Sequence, residues 1–249
     1  MDVRQLVKHA RWHIGMGNDL RRIGLPWHTF FRAYADTRVR KGSGLKKIVV
    51  RHGVSGQEAI LHIRPGPDLS DWIVLRGIWA HQDYFHPLIR SCRTILDLGA
   101  NIGIGAVWFR TLIPEAEVVC IEPDPRNLAL ARLNLAGNGI SAKIFECAVA
   151  PYSGRSRLGI ETDTGRSSLA DAGLYAQEHF VEVKTRRIAE ILDEVGWARV
   201  DLLKMDIEGM ERDILADGSD WLDRVGMMLM EVHQNTSPEE LSALLRPRA

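Results

Sequence analysis

Along the second half of the chain, short apolar runs bounded by glycine, proline or acidic residues alternate with stretches whose apolar residues return at helical spacing. Thr94 to Leu98, Val118 to Ile121, Ala142 to Ala150, Val200 to Ile207 and Val225 to Val232 have the length and β-branched content of buried strands. Between and after them, the stretch from Ala106, Pro125 to Asn138, Ile188 to Val195 and Pro238 to Arg246 read as helices. Asp124 and Pro125 open the second of these as N-cap and first-turn proline, and Gly137 and Gly139 stop it. The alternation predicts an α/β fold, a Rossmann-like doubly wound parallel sheet with right-handed crossovers. In the strand order 3-2-1-4-5, ligands bind outside the carboxyl ends, where the order reverses between the first and fourth of these strands.

The first ninety residues are less regular. Val3 to Arg22 predicts one amphipathic helix broken near Gly15 and Gly17, and residues 25 to 45 read as a connection. Lys47 to His52 and Ala59 to Ile63 read as a hairpin around Gly53-Val54-Ser55-Gly56. Arg155 to Glu161 and Phe180 to Thr185 form a further strand pair, with Gly165-Arg166-Ser167-Ser168 in the loop between them. The expected division is an N-terminal helical and hairpin extension, 1–90, and a core, 91–249.

Chemistry concentrates at the strand ends. After Leu98 the chain reads Gly99-Ala100-Asn101-Ile102-Gly103-Ile104-Gly105 before a helix resumes. Glycines let a ligand approach the backbone, and the helix N-terminus beyond offers N–H groups. This turn is not the dinucleotide fingerprint G-x-G-x-x-G, and Asp97 ahead of it would repel phosphate and attract a cation. The next strand ends in Glu122-Pro123-Asp124, where an acid can accept hydrogen bonds from vicinal ribose hydroxyls. Ribose together with a cationic amino acid suggests S-adenosylmethionine. Asp97, Gly99, Asn101, Gly103 and Glu122 are the candidate cofactor residues, with Cys147 from the end of the third strand, Glu146, Cys147 and Ala148, where such folds meet an adenine.

The wording DLGANIG, then IEPDP, then LLKMDIEGME and MEVH, resembles the FkbM family of class I methyltransferases from about Leu61 to His233. The resemblance implies O-methylation of a hydroxyl on a sugar or secondary metabolite, and it makes Asp68 and Tyr84 further candidates. Methyltransferases of this class complete the sheet with a C-terminal antiparallel hairpin, which this sequence lacks. The fifth strand is therefore expected to leave an apolar edge that a homodimer or the N-terminal segment would cover, or else to leave the protein marginally stable.

On the fourth strand Leu202, Lys204 and Asp206 share a face, with Lys204 expected to neutralise a carboxylate. Asp206, Glu208, Glu231 and His233 follow at the strand ends as the catalytic candidates. His233 has the pKa range of a general base, oriented by Glu231 or Asp206, although a desolvated carboxylate could serve instead. A divalent ion held by the same four residues is the alternative, but their spacing matches no recognised metal motif and no metal is expected. Two other functions remain open: an NAD-binding oxidoreductase, disfavoured by the glycine spacing and Asp97, and a non-catalytic binding protein that kept the fold.

Composition narrows this little. With 249 residues, 45% of them hydrophobic, the chain can bury a core. The odd count of three cysteines, Cys92, Cys120 and Cys147, suits reduced buried hydrophobes. No apolar run approaches the ~20 residues of a membrane span and no signal peptide opens the chain, so a cytoplasmic protein is expected. Net charge is zero, yet residues 1–51 hold twelve basic against three acidic side chains, +9 offset by −9 elsewhere. Such an arm suits an anionic partner or a solvated face, and no nucleic-acid motif accompanies it.

Overall fold

The computed structural model describes residues 3–40, 44–65, 69–160, 167–172 and 179–245. Its helices are α1 Val3–Arg22 and α2 Trp27–Arg40, followed by the hairpin of β1 Lys46–Arg51 and β2 Glu58–Ile63. α3, Ser70–Leu75, continues as a π-helical stretch, Arg76–His81. The core then runs β3 Thr94–Leu98, α4 Ile104–Leu112, β4 Glu117–Ile121, α5 Pro125–Gly137, β5 Lys143–Phe145, β6 Ala148–Val149, β7 Gly154–Ile160, β8 Ser167–Leu169 and β9 His179–Arg186. α6 Ile188–Val195, β10 Val200–Met205, α7 Glu211–Ala216, β11 Val225–Met230 and α8 Pro238–Leu244 complete it.

Five strands form the central sheet in the order β11-β10-β3-β4-β5, every pair parallel, as the alternation predicts. β3, β4 and β10 are almost wholly buried because helices cover both faces. Side chains alternate across the sheet, so Ile95, Val118 and Leu202 enter one apolar cluster, with the tryptophans of residues 72, 79 and 108, and Leu96, Val119 and Leu203 the other. No helix of the described residues is long and apolar enough to cross a membrane. All three cysteines are free and buried.

Several elements depart from the pattern. α1 is continuous through Gly15 and Gly17, because Gly17 lies where a β-carbon would come within 3.3 Å of Phe31, and its absence lets α2 cross closely. The expected connection over residues 25–45 contains α2, whose aromatic residues recur at helical spacing. Phe30 packs edge-on to Trp72 at 5.6 Å and Trp27 to Phe31 at 5.4 Å. The expected third strand is broken: β5 stays in the central sheet, Glu146 turns to solvent against Arg132, and β6 joins β9 in a second sheet of order β6-β9-β7-β8. Ser167 and Ser168 belong to β8, paired with β7, while Gly165 and Arg166 lie outside the described residues, as does Asp68. Among the described residues β11 is an edge of the central sheet, its side chains half-buried.

Asn134 of α5 and Asn138, its C-cap, close the free side of the hairpin. Asn138 accepts from the Ile60 N–H (2.8 Å) and donates to the Ile60 carbonyl (2.6 Å). Asn134 does the same at His62, at 2.6 and 3.1 Å.

His52 follows β1 and is fully buried between Trp79 and Trp108, its Nδ1 accepting from the Val54 and Ser55 N–H groups. Burial, helped by the charge of Arg90, pushes its pKa down to about 4. The unfolded chain binds this proton near pH 6.5 and the folded chain does not, so the contribution is complete above 6.5 and lost as pH falls toward 4. It amounts to about 3 kcal/mol. Denaturant midpoints from pH 7 to 4 should therefore fall more steeply for the wild type than for His52→Asn, whose amide oxygen can replace Nδ1. Parallel curves would refute the assignment.

Candidate functional site

The carboxyl ends of β3, β4, β10 and β11 open into one cavity of about 570 Å³. The π-helical stretch walls one side through Arg76, Gly77 and His81, and β7 and β8 wall another through Leu158, Ser167 and Leu169. Such stretches are rare and short, and they are frequent at functional sites. Here the stretch is moored to α1, since Asp19 accepts from Arg76 Nε at 2.7 Å and lies 3.0 Å from His81 Nε2.

The glycine turn forms the floor at one end. Gly99, Asn101 and Gly103 are all left-handed, with φ of 74°, 50° and 79°. Gly99 and Asn101 line the cavity, whereas Gly103 caps α4 and lies against Ala131, 3.2 Å from a notional β-carbon, so it serves helix packing. Glu122, 4% exposed, lines the cavity beside the turn. Its Oε1 accepts from Asp124 N–H (2.9 Å) and Asn127 Nδ2 (3.3 Å), and its Oε2 from Asn101 N–H (2.8 Å). Burial outweighs these donors and pushes the carboxyl up to about 7. A carboxylate has about four lone-pair sites, so Oε2, with one donor among the described residues, retains capacity for a ligand hydroxyl. Beyond Glu122 the wall is apolar: Ala148, Val149, Leu158 and Leu169. Cys147 is behind that wall, buried, its thiol pushed up to about 11 by burial, whereas Ala148 from the same strand end lines the cavity.

Asp97 also lies under the cavity instead of on its wall. It is fully buried, 3.2 Å from Lys204 Nζ, and is directly paired with that lysine in the β3–β10 register. The sequence placed a carboxylate at this turn but did not show that the cation it meets is the protein's own.

At the other end Asp206, Glu208 and Glu231 line the cavity, with Tyr84 above them. His233 is set behind. Its Nδ1 is 2.9 Å from the buried Glu211 Oε1, and its Nε2 is 3.3 Å from Glu208 Oε2 and 3.7 Å from Asp206 Oδ1. Burial alone would lower its pKa, but the hydrogen-bonded Glu208 and Glu211 carboxylates reverse this and push it up to about 10. The raised pKa favours the imidazolium, which has no free lone pair, and so works against the expected role of general base. Candidate atoms of Asp206, Glu208 and His233 lie within 4.8 Å of one another, close enough to share a cation. Asp206 is raised by burial, against the pull of Lys204. Glu231 is raised by the charge of Asp206 and then by burial, so the two carboxyls titrate as a pair. Burial also keeps the Tyr84 hydroxyl protonated.

Sequence reasoning missed Glu211, the orienting partner of His233, and the cavity-lining Arg76, His81 and Asp83. Glu211 closes the wording LLKMDIEGME, but nothing in that wording shows that its side chain meets His233, and the others depend on a π-helical turn that no periodicity announces.

A family model described as the methyltransferase FkbM domain matches residues 97–246. The chain is 31% identical over 165 residues to the 2-O-methyltransferase NoeI of Sinorhizobium fredii, covering 61% of this chain and 68% of that protein. It is 28% identical over 189 residues to the 31-O-demethyl-FK506 methyltransferase FkbM of Streptomyces tacrolimicus, covering 64% and 72%. Among solved structures, the methyltransferase FkbM of Methylobacillus flagellatus aligns at 20% identity and a TM-score of 0.34, over 59% of this chain and 38% of that one. RsmC of T. thermophilus, a 16S rRNA methyltransferase in complex with AdoMet and guanosine, aligns at 17% identity and 0.44, over 80% and 45%. The chain thus spans less than half of either solved chain.

Proposed function

The chain belongs to the FkbM methyltransferase family, and from that membership we propose that it transfers the methyl group of S-adenosylmethionine to a hydroxyl of a sugar or secondary metabolite. One observation carries the reading: a single cavity joins the glycine turn and Glu122 at one end to a cluster of carboxylates at the other. The residues present suit the cofactor. Glu122 Oε2 retains acceptor capacity for a ribose hydroxyl, Gly99 and Asn101 expose backbone beside it, and Ala148, Val149, Leu158 and Leu169 offer an apolar berth for a purine. The relatives whose names state an acceptor chemistry, NoeI, FkbM and a hexuronic acid methyltransferase, AglP of Haloferax volcanii, support the acceptor class.

When bound, S-adenosylmethionine supplies an already activated methyl group, so the protein's task is alignment and removal of one proton. Asp206 is the group proposed to take the acceptor hydroxyl's proton, on its carboxylate. Its raised pKa makes it a stronger base than an ordinary aspartate, and Glu231 shares the charge. His233, held as a cation by Glu208 and Glu211, orients this pair and offsets its repulsion. The reading uses no metal.

Calorimetric titration with S-adenosylmethionine, S-adenosylhomocysteine and NAD tests it. Micromolar binding of the first two, unchanged by chelator, is expected, together with a loss of about 100-fold or more in Glu122→Ala, which also leaves the Asn101 and Asp124 N–H groups without their acceptor. Binding of NAD, or of nothing by a folded protein, would sink the proposal.

A further inference from the structure

Lys204 is a buried cation that the mechanism above leaves unused. It is 4% exposed on a strand in the middle of the sheet, a costly place for a charge unless its surroundings compensate it. Nζ donates to the carbonyls of Gly99 (2.7 Å) and Leu98 (3.3 Å), pairs with Asp97 Oδ1 (3.2 Å), and lies 3.7 Å from Asp206 Oδ2. It also stands 5.8 Å from the centre of the Tyr84 ring, on the ring's face. Burial opposes its charge, but Asp97, Tyr84 and Asp206 more than restore it, and it stays protonated. One ammonium thus touches the first carbonyl of the glycine turn, its own sheet neighbour on β3, and the cavity carboxylate proposed as base.

We propose that Lys204 is a positioning residue that joins the two ends of the site, fixing the cofactor turn through the Gly99 carbonyl and holding Asp206 as a carboxylate when the cofactor fills the cavity. The inference rests on the cofactor reading above. The backbones are sewn together at the same place: the Asp206 N–H donates to the Leu98 carbonyl at 3.2 Å, and the Asp206 carbonyl fills the space a Gly99 side chain would need. A ligand seated on Gly99 therefore rests directly on the strand end that carries Asp206.

The charges facing Asp206 show what the lysine contributes. Lys204 approaches one carboxylate oxygen and His233 the other, while Glu208, Glu211 and Glu231 oppose its ionisation and the protonated Tyr84 and the paired Asp97 stand behind Lys204. His233 is already committed to Glu208 and Glu211. Without Lys204, three acids would face Asp206 with one shared cation, and a cofactor that expels water from the cavity would drive a proton onto it.

The test uses S-adenosylhomocysteine as probe and the pair Asp97→Asn with Lys204→Met, which removes both members of the Asp97–Lys204 ion pair so that neither is left buried alone. For the wild type, the dependence of the dissociation constant between pH 6 and 8 should be that of Glu122, whose carboxyl lies at about 7, and its slope and its proton uptake, from heats compared in two buffers, set the baseline. For the double variant the dissociation constant should weaken further with rising pH, by up to tenfold per pH unit beyond that baseline, the limit for one more linked proton, with matching added uptake. Adding Asp206→Asn should restore the baseline, which a merely structural lysine would not predict. Asp97→Asn alone, leaving the lysine's charge to Asp206, should move any remaining dependence to lower pH, and it serves if the double variant folds poorly. Equal pH dependence in wild type and double variant, a steep dependence that survives Asp206→Asn, or no shift in Asp97→Asn would overturn the inference. Failure of the wild type to bind the probe at all would instead remove the cofactor reading, and this inference with it.

Discussion

Gly99→Ala should abolish S-adenosylhomocysteine binding and lower the thermal midpoint by about 10 °C, the equivalent of roughly 4 kcal/mol in a chain of this size. Two costs add. Gly99 has φ 74°, where a β-carbon costs about 1–2 kcal/mol. The new methyl would also overlap the backbone carbonyl oxygen of Asp206, which cannot rotate away as a side chain could. Relief requires the ends of β3 and β10 to part, breaking the Asp206 to Leu98 hydrogen bond and drawing Lys204 off the Gly99 carbonyl. Calorimetry of the variant, alone and with the ligand, measures both effects. A midpoint within 2 or 3 °C of wild type, about 1 kcal/mol, would mean that the turn relaxes without moving β10.

The wild type should also lose on the order of 4 kcal/mol of stability between pH 6.5 and 10 through His233 alone. Its folded pKa is raised to about 10 from the ordinary 6.5, so the folded state binds this proton across that window and the unfolded state does not. The contribution is complete below 6.5 and disappears as pH rises through 10. Other groups titrate there too, so the readout is the difference between wild type and His233→Gln, whose amide can still reach Glu211. Their denaturation midpoints should converge with rising pH, and a constant gap would show that His233 is neutral in the folded protein. The same charge state implies that activity near neutral pH tracks the Asp206 and Glu231 pair and not the histidine.

The central sheet was legible because its strands are buried on both faces, and burial writes itself as apolar runs such as Val118 to Ile121. The strand ends could be placed for the same reason, which put Gly99, Asn101, Glu122, Asp206, Glu208 and Glu231 on one cavity. What the sequence could not carry was the identity of partners across the sheet. Asp97 reads as a bait for a ligand cation until its neighbour on β10 is known, and His233 reads as a base until Glu211 and Glu208 are seen on either side of its ring. The break after Phe145 was invisible because a single Glu146 between apolar residues reads as one outward-facing position of a continuous strand. The helix over Trp27–Arg40 was legible in its aromatic spacing but was masked by the proline before it and the glycines after it.

Asn134 and Asn138 do more than dock a helix. Any strand with bare amides on one side is a template on which another chain can grow a sheet. On β2 those amides are occupied at Ile60 and His62 by side chains that imitate a neighbouring strand, donating and accepting at the same residue. The hairpin is therefore capped at these two residues against recruitment of a stranger, by side chains from α5 and its C-terminal cap. Asn138→Leu would uncap it, and the cost would be read as self-association on concentration more than as a lower melting temperature.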